Sequence, residues 1–477
     1  MIKNKYDLIV IGAGSGGLGI ALGMLEMGFK VLMVDKSEEK IGGECLNTGC
    51  VPSKALIHVA NIIHQSTKAS DFGIKSSGTP NIHKVKKYIE SKQNSIRRHE
   101  NVDYFREKGL DVVIGKAQFS SKNSLEINNG EYSAKNIIIA TGSKPRQIEI
   151  EGLKPEITFT NESIFEIDFI PKNFIFIGAG PVSMELGQAF SRLGSKVFIV
   201  DRGERILKKE DPVISEVLFK KLEEENITFY LNAEVKKITN EGFAEIKNKQ
   251  GEVVRQPIDA VFMGIGRELN FESLQLDKAA IKTVDGKIVL NNKLQTSNKN
   301  VFVSGDAADN FKFSHAAEMH NMLLLNNFLS PFKKKLEKDK FPWVTFTNPE
   351  VATFGLGEIQ LINKSINYER LEIDFSENDR GTTDDFEYGK LLLFIEKKMF
   401  LTGSAKILGG SLVAPNAGEI AQELILVNSA GIGIKKIMNK TYPYPTAADL
   451  HKKIIRDRMV KDLKPWMKKV AQLLYNI

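Results

Sequence analysis

Short apolar runs alternate along the chain with amphipathic segments, and this pattern predicts strands that alternate with helices. The first 35 residues contain "YDLIVIGAGSGGLGIALGMLEMGFKVLMVD", in which an apolar strand, a glycine-rich turn, a helix and a second apolar strand follow one another. A continuous apolar run is typical of a strand in a parallel sheet that is covered on both faces. We therefore predict an α/β fold built from strand–helix–strand units.

The glycines of this first unit predict a dinucleotide site. Gly12, Gly14 and Gly17 have the G-x-G-x-x-G spacing, and Asp35 ends the second strand. Glycines in such a turn let the backbone approach a pyrophosphate, whose charge the helix N-terminus stabilises, and the acid accepts a hydrogen bond from a ribose hydroxyl.

The same unit occurs a second time in "NFIFIGAGPVSMELGQAFSRLGSKVFIVD". The second copy follows the first at a constant offset of 166 positions, which places Gly178, Gly180 and Asp201 opposite Gly12, Gly14 and Asp35. One position differs, because Ser183 stands where Gly17 stood. The alternative is two ordinary α/β turns, but the turn, the helix and the acid all recur, so we predict two dinucleotide-binding folds.

Length and composition leave room for several domains. With 477 residues, 42% of them hydrophobic, the chain is long enough for two to four domains. We find no apolar run long enough for a transmembrane helix and no apolar core of a signal peptide, so we expect a cytoplasmic protein.

The net charge of +7 is concentrated at the C-terminal end. Residues 452–477 contain six Lys, two Arg and two Asp, so the rest of the chain is close to neutral. A nucleic-acid partner would require a basic face on the folded body, and we expect none.

The only two cysteines, Cys45 and Cys50, lie together in "GGECLNTGCVPSKAL". They could be small buried hydrophobic residues, or with His58 and His64 they could form part of a weak metal pattern. The third alternative is a redox pair, which is favoured because Pro52 marks the first turn of a helix, so Cys50 is expected just before a helix N-terminus that stabilises its thiolate. Two dinucleotides beside a dithiol suggest electron flow from a nicotinamide through a flavin to a disulfide.

These residues resemble the flavin disulfide reductases, a family that includes dihydrolipoamide dehydrogenase, glutathione reductase and mercuric reductase. The resemblance runs nearly end to end, and the segments "IIIATGSKPR", "VFMGIGRELN", "VFVSGDAAD" and "TNPEVATFGLGE" carry it together with the cysteine segment. It implies two Rossmann-like domains, for FAD and then NAD(P), followed by an α+β dimerisation domain. The implied boundaries are 1–150 with 271–340 for FAD, 151–270 for NAD(P), and 341–477 for the interface domain of a homodimer.

The resemblance also implies roles for individual residues. Cys45 would be the thiol that attacks the substrate, Cys50 the thiol beside the flavin, and Lys54 would pair with Glu185 near the flavin, although each could also be an ordinary surface charge. The implied cofactor-binding residues are Gly12, Gly14, Gly17, Asp35, Gly43, Lys54, Ala117, Thr141, Gly142, Gly178, Gly180, Asp201, Gly266, Gly305 and Asp306.

Near its C-terminus the chain departs from the family pattern of His-Pro-Thr followed by Glu. In "TYPYPTAADL", Tyr444 occupies the position of the catalytic His, and Asp449 that of the orienting Glu. A phenol titrates near 10 and is a poor base at neutral pH, so efficient reduction of lipoamide or glutathione is not expected. Mercuric reductases have Tyr at this position, but they use a second, C-terminal cysteine pair that this chain lacks. Glu44 also departs from the usual Thr, and it would disfavour the Cys45 thiolate only if it faced the sulfur.

Two further features leave alternatives open. Asp201 favours the ribose diol of NADH, whereas Arg202 and Arg205 could accept a 2′-phosphate, and we favour NADH. In the C-terminal tail Met467, Val470, Leu474 and Ile477 recur at helical spacing, which favours a helix packed on the dimer over one lying on an anionic membrane.

We therefore predict an FAD-dependent NAD(P)H:disulfide oxidoreductase with a small disulfide, metal-ion or quinone acceptor. One alternative is a reductase of metal ions, quinones or reactive oxidants, in which Tyr444 need not act as a base. Another is a membrane-associated interaction protein with low turnover.

Overall fold

The computed structural model describes residues 4–269, 271–398 and 405–476, without the side chain of residue 272. Asn270 of the "VFMGIGRELN" segment and Ile477 of the C-terminal pattern lie outside the described residues.

The described strands are, in chain order, β1 Asn4–Ile11, β2 Val31–Asp35, β3 Asp111–Ile114, β4 Ala117–Phe119, β5 Ser124–Ile127, β6 Gly130–Ile139, β7 Ser143–Pro145, β8 Thr158–Phe159, β9 Asn173–Ile177, β10 Lys196–Val200, β11 Thr228–Tyr230, β12 Ala233–Ile238, β13 Phe243–Asn248, β14 Val253–Pro257, β15 Ala260–Met263, β16 Arg267–Leu269, β17 Thr283–Val284, β18 Lys287–Ile288, β19 Val301–Val303, β20 Trp343–Thr345, β21 Glu350–Gly355, β22 Tyr368–Asp374, β23 Lys390–Glu396 and β24 Ile407–Ala414. The described α-helices are α1 Ser15–Glu26, α2 Gly43–Asn47, α3 Cys50–Lys68, α4 Ile82–Arg97, α5 Val102–Glu107, α6 Pro181–Arg192, α7 Pro212–Glu224, α8 Ser314–Leu329, α9 Glu358–Asn363, α10 Asp379–Thr383, α11 Ala417–Ile420, α12 Gln422–Ser429, α13 Lys435–Asn439, α14 Asp449–Lys461 and α15 Pro465–Tyr475.

The first sheet has seven strands in the order β3-β2-β1-β6-β5-β4, and β19 also pairs with β6. Strand β1 lies between β2 and β6 and is parallel to both. Its last four residues are all buried, as expected for a strand covered on both faces. Because β19 comes from a distant part of the chain, residues after the second sheet return to the first.

The second sheet has the order β11-β10-β9-β15-β8, and all its pairings are parallel. The internal repeat is reproduced closely, since α6 begins and ends 166 residues after α1. The prediction of two Rossmann-like units is therefore confirmed, while the domain boundaries given above stay a prediction.

The third sheet is antiparallel, with the order β20-β21-β24-β23-β22. Helices α11 to α14 pack on it, and its core includes the buried side chains of Phe354, Leu393, Leu412 and Leu424. An α+β unit therefore follows the two α/β units, as predicted. The segment 330–342, which leads into this sheet, contains no helix or strand.

No helix among the described residues is long and apolar enough to cross a membrane.

Candidate active site

The cysteine segment is folded against the first glycine loop. Gly42 and Gly43 have positive φ angles of 84° and 64°, and a Cβ on Gly43 would lie 2.5 Å from the Cα of Gly14. Only glycine combines this left-handed backbone with so close an approach. The two glycines therefore hold α2, which contains Cys45, directly beside the loop of the first dinucleotide unit.

Cys50 is the first residue of α3, and Gly49 precedes it as the cap. The prediction placed Cys50 one position before the helix, but the thiol still lies at the N-terminus, and the first turn contains no acidic residue. Both cysteines are free thiols, and Cys50 Sγ lies 3.2 Å from Ser314 Oγ at the start of α8.

The two thiols are strongly inequivalent. The hydrogen bond from Cys45 lowers the pKa of Cys50 to about 6, with further help from Ser314 and the charge of Lys54, although burial opposes them. The hydrogen bond with Cys50 and burial raise the pKa of Cys45. At neutral pH the pair therefore holds one negative charge, on Cys50, and one proton, on Cys45.

A half-buried ion pair lies one helical turn beyond Cys50. Lys54 Nζ of α3 donates to Glu185 Oε2 of α6 at 2.7 Å, and only 8% of the Glu185 side chain is exposed. The other oxygen, Oε1, accepts from the backbone N–H of Phe346 at 2.9 Å. Glu185 therefore has hydrogen bonds on both carboxylate oxygens and is not a solvated surface charge.

The two glycine loops have the same internal geometry. Asp35 accepts the backbone N–H of Ala13 at 2.8 Å, and at the equivalent positions Asp201 accepts that of Ala179 at 2.8 Å. The N-termini of α1 and α6 have no side-chain cap and no acidic residue in the first turn. Both are therefore suited to bind a pyrophosphate.

A cleft of about 3360 Å³ connects the loops, the cysteines and the ion pair. A pocket for one drug-sized ligand measures about 300–1,000 Å³, so the cleft has room for more than one large cofactor. Its lining includes most of the predicted site residues, namely Gly12, Gly14, Asp35, Gly43, Cys45, Cys50, Lys54, Ala117, Thr141, Gly142, Gly178, Gly180, Glu185, Asp201, Gly266, Gly305 and Asp306.

The residues of the cleft fit FAD. Thr141 lines the cleft, and its buried hydroxyl finds no hydrogen-bond partner among the described residues. A Cβ on Gly142 or Gly180 would meet no atom within 4 Å, so the backbone there is open to a ligand. An orphaned buried polar group beside an open backbone is the feature expected where a cofactor completes the hydrogen bonding.

Gly17 lies outside this lining and packs within the loop. A Cβ there would lie 1.9 Å from the carbonyl oxygen of Gly12. In the second copy, Ser183 is fully buried, and its hydroxyl occupies space left open by Gly264, where a Cβ would approach it to 2.1 Å. The substitution of Ser for Gly is thus compensated by the glycine that follows β15.

Glu44 is held by other side chains, so neither orientation considered from the sequence, toward the sulfur of Cys45 or free in solvent, describes it, although 34% of its side chain is exposed. It forms a bidentate ion pair with Arg267, and Asn161 Nδ2 donates to its Oε1 at 2.7 Å. Arg267 Nε also donates to Ser143 Oγ at 2.6 Å, and Ser143 donates to Asp306 at 2.6 Å. Sequence reasoning missed Arg267, although it lies in the "VFMGIGRELN" segment that carried the resemblance.

The groups around Asp201 bear on nicotinamide choice. Arg205 donates to the backbone oxygens of Glu210 at 2.7 Å and Lys208 at 2.8 Å, so its guanidinium is committed to its own loop. Arg202 is 79% exposed and pairs with Glu234 at 2.8 Å.

Tyr444 and Asp449 do not line the cleft of their own chain. The Tyr444 side chain is 77% exposed, and its hydroxyl donates to Asp379 Oδ2 at 2.7 Å. No hydrogen bond of the described residues joins Tyr444 to Asp449, so the orienting role of Asp449 stays a prediction.

The histidines of the weak metal pattern do not form a site. His58 stacks on Tyr88 with ring centroids 5.8 Å apart. Among the described residues there is no group of three or more His, Cys, Asp or Glu placed to hold a metal ion.

Comparison with known proteins identifies the two parts of the chain. Residues 6–321 match the profile of the pyridine nucleotide-disulphide oxidoreductases, and residues 341–454 match the dimerisation domain of that family. The dihydrolipoyl dehydrogenase of Mycoplasma genitalium is 32% identical over 95% of this chain and 99% of its own length. A mercuric reductase of Lysinibacillus sphaericus is 31% identical over 94% of this chain and 81% of its own length.

Among solved structures, the HOCl-induced flavoprotein disulfide reductase RclA of Escherichia coli superposes with a TM-score of 0.82. The two share 21% sequence identity, and the match covers 94% of this chain and 99% of RclA. A Cu(II) complex of RclA superposes with a TM-score of 0.81 at 22% identity.

Proposed function

The chain belongs to the pyridine nucleotide-disulphide oxidoreductase family, and from that premise we propose that it carries two electrons from NADH through the Cys45–Cys50 pair to a small acceptor. The observation that supports this most is the placement of a low-pKa thiol, Cys50, in a cleft that both dinucleotide loops line. A structural cysteine pair would have no need of this electrostatic environment.

The electrons balance in two half-reactions. The first glycine loop and Asp306 would hold FAD, which would supply two-electron transfer between NADH and the Cys45–Cys50 disulfide. The disulfide would become the Cys45 thiol and the Cys50 thiolate, and the hydride of NADH supplies both electrons and the one proton. In the second half, the dithiol reduces the acceptor by two electrons, and the S–S bond forms again.

The roles of the protein groups follow from their contacts. Lys54, held by Glu185, lowers the pKa of Cys50 through its charge and stabilises the negative charge that develops beside it. Cys45 carries the proton and is the thiol that meets the acceptor. The Glu44–Arg267 pair keeps a carboxylate away from this sulfur, because the guanidinium binds both of its oxygens.

The acceptor we favour is a metal ion, a quinone or a reactive oxidant in preference to lipoamide. Attack on a disulfide needs the Cys45 thiolate, yet the hydrogen bond with Cys50 raises the pKa of Cys45 and the hydrogen bond to Asp379 raises that of Tyr444. Neither group therefore supplies a base at neutral pH, and loss of a general base costs about 100- to 10,000-fold. Mercuric reductase is a relative whose name fits a metal-ion acceptor.

The test is steady-state NADH oxidation with lipoamide, glutathione disulfide, Hg(II), Cu(II), a short-chain quinone and hypochlorite as acceptors. Cys45→Ser and Cys50→Ser should each abolish turnover with the true acceptor while FAD stays bound. The matched control is Ser53→Ala, one helical turn from Cys50, which should retain activity. Undiminished turnover in both cysteine variants would exclude the dithiol pathway.

For the nicotinamide, we propose NADH over NADPH. Asp201 presents a carboxylate where the ribose would lie, and a carboxylate repels a 2′-phosphate but accepts hydrogen bonds from a diol. Arg205 is tied to its own loop, although Arg202, Lys208 and Lys249 line a surface cavity of about 290 Å³ nearby. We expect at least tenfold higher kcat/KM for NADH at low salt. Equal kcat/KM for NADH and NADPH would mean that these basic side chains bind the 2′-phosphate of NADPH, and it would overturn the proposed preference for NADH.

We also propose a homodimer, supported by the match of residues 341–454 to the family's dimerisation domain. In one chain Tyr444 lies outside the cleft, so it could act on the thiols only across a dimer interface.

The C-terminal helix α15, for which the sequence favours packing on the dimer, is also a candidate contact with an anionic membrane. None of its described residues is buried, and Trp466, Leu473 and Leu474 are 56%, 67% and 66% exposed on one side of the helix. Lys468 lies on the opposite side and Lys469 at the border of the apolar side, an arrangement that an interfacial amphipathic helix can have. Basic side chains contribute about 1 kcal/mol each near an anionic surface.

Flotation with phosphatidylglycerol and phosphatidylcholine vesicles tests this contact. We expect the full chain to bind only the anionic vesicles, in a salt-dependent manner, and binding to fall at least tenfold when residues 465–477 are removed. If the truncated chain instead becomes monomeric in light scattering, the helix packs on the partner subunit and the membrane contact is excluded.

A further inference from the structure

The loop that carries Tyr444 is held by its own chain at two points. It connects α13 to α14, and its exposed end is the phenol of Tyr444, which donates to Asp379 Oδ2 at 2.7 Å. Asp379 is the first residue of α10. The phenol is thus bound to a residue that the family pattern near the C-terminus does not include.

The residue before Asp379 fixes α10 to the same loop. Asn378 is 7% exposed, and its Nδ2 donates to the carbonyl oxygen of Thr446 at 3.1 Å, while its Oδ1 caps α10 by accepting the N–H of Gly381 at 3.1 Å. The carboxylate of Asp379 is therefore placed relative to Tyr444 by a buried amide, and the contact does not depend on surface side chains alone.

The base of the loop is held by a second carboxylate. Glu423 of α12 accepts from Tyr442 at 2.7 Å and from Lys440 at 2.8 Å, and it lies 2.9 Å from Nδ1 of His451, whose side chain is 1% exposed. This cluster fixes the backbone two residues before Tyr444, so the phenol projects from an anchored loop.

We propose that Asp379 is the residue that positions Tyr444 for its action on the thiols, in the role that the family pattern gives to the residue at position 449. The inference rests on the proposed function, since it assumes that Tyr444 meets Cys45 of the partner subunit. Asp379 does not touch the thiols or the acceptor and acts only through the phenol.

The direction of the hydrogen bond determines what the phenol can do. Because its proton is donated to Asp379, the lone pairs of the oxygen are directed away from α10, where they can accept a hydrogen bond from a protonated thiol. A phenol held in this way is a neutral acceptor and not a general base. The neighbouring charges are paired with one another, Glu377 with Lys453 and Arg380 with Asp384, so Asp379 is the carboxylate bound to the phenol.

The experiment compares Asp379→Asn with Asp449→Asn, each in the native chain and in a Tyr444→Phe background. We expect Asp379→Asn to lower kcat for the true acceptor about tenfold when Tyr444 is present and less than twofold when Phe replaces it. The control is Asp384→Asn, whose carboxylate pairs with Arg380, and it should change kcat less than twofold in both backgrounds. Independent effects of Asp379→Asn and Tyr444→Phe, or coupling of Tyr444 to Asp449 instead, would overturn the proposal.

A second readout does not depend on turnover. In the full-length holoenzyme labelled with ¹³Cζ-tyrosine, the resonance lost in Tyr444→Phe identifies the phenol, and Asp379→Asn should move its titration to lower pH. FAD content and Tm confirm that the variants are folded, and Asp379→Glu should restore the native titration. If the native enzyme reduces no acceptor, the proposed function fails. The titration of Tyr444 still tests whether its phenol is hydrogen-bonded to Asp379. An unchanged titration in Asp379→Asn overturns it.

Discussion

Replacing Ser314 with Ala should weaken the thiolate of Cys50. The hydroxyl of Ser314 lies 3.2 Å from Cys50 Sγ, and when Cys50 is a thiolate the hydroxyl donates a hydrogen bond to its sulfur. Ser314 is the first residue of α8, so its position is set by a helix that packs on α1 and not by the cysteine segment. The substitution removes one hydrogen bond and leaves the backbone of both helices in place.

The magnitude follows from the groups that act on the sulfur. The pKa of Cys50 is lowered to about 6, first by Cys45, then by Ser314 and by the charge of Lys54. A hydrogen bond to a charged group contributes about 1.5–3 kcal/mol, and one pKa unit corresponds to about 1.4 kcal/mol. Because Cys45 still donates after the substitution and the cleft is open to water, we expect the lower end, a rise of about one unit.

The assay is the long-wavelength charge-transfer absorbance of the two-electron-reduced enzyme, followed from pH 4.5 to 9. The band requires the Cys50 thiolate, so it is present above the pKa and is lost as the pH falls through it. Its midpoint should lie near 6 in the native enzyme and about one unit higher in Ser314→Ala.

Ser53→Ala is the matched control. Ser53 Oγ donates to the backbone oxygen of Cys50 at 3.2 Å and not to the sulfur, so its removal should leave the midpoint in place. The reasoning is refuted if Ser314→Ala has the native midpoint, if the two variants shift it equally, or if the band survives in Cys50→Ser.

Four further outcomes are expected. Gly17→Ala should abolish FAD retention, measured as FAD content, because its Cβ would lie 1.9 Å from the oxygen of Gly12. Ser183→Ala removes a buried hydroxyl that has no partner among the described residues, so it should leave the Tm unchanged or raise it. Burial alone would raise the pKa of Glu423, but its hydrogen bonds lower that pKa to about 2. The ionised carboxylate therefore stabilises the fold above its ordinary pKa near 4.5, and this stabilisation is lost as the pH falls from 4.5 toward 2. Glu423→Gln should therefore destabilise the protein by about 1–3 kcal/mol at pH 7 and by much less at pH 3 in urea unfolding. Tyr444→His with Asp449→Glu should raise lipoamide turnover about tenfold or more with an apparent pKa near that of His, and no gain would mean that the groove, not the missing base, excludes disulfides.

Much of the architecture was predictable because it is encoded in local patterns. Buried parallel strands require continuous apolar runs, and a loop that approaches a pyrophosphate requires glycine at fixed spacing. These constraints act within about 30 residues, so both dinucleotide units, their acids and the repeat between them could be predicted from the letters alone. The family and its FAD followed from the cysteine segment and the motifs around it.

The charge environment of the site was decided by tertiary structure. Glu44 was recognisable as unusual, but its partner Arg267 lies 223 residues away in sequence and joins it only because β16 returns to the cleft. In the same way, Asp379 lies 65 residues before Tyr444, and no spacing rule connects them. Side-chain pairs across such separations depend on how sheets and helices are stacked.

The sequence by itself determined which chemical groups this protein has: two thiols, two dinucleotide loops and a phenol in place of an imidazole. Only the tertiary structure decided which groups are charged and which are partnered, because burial and hydrogen bonds shift proton affinities and both depend on residues distant in the chain. The lowered pKa of Cys50, the raised pKa of Cys45 and the hydrogen bond of Tyr444 to Asp379 all arise in this way.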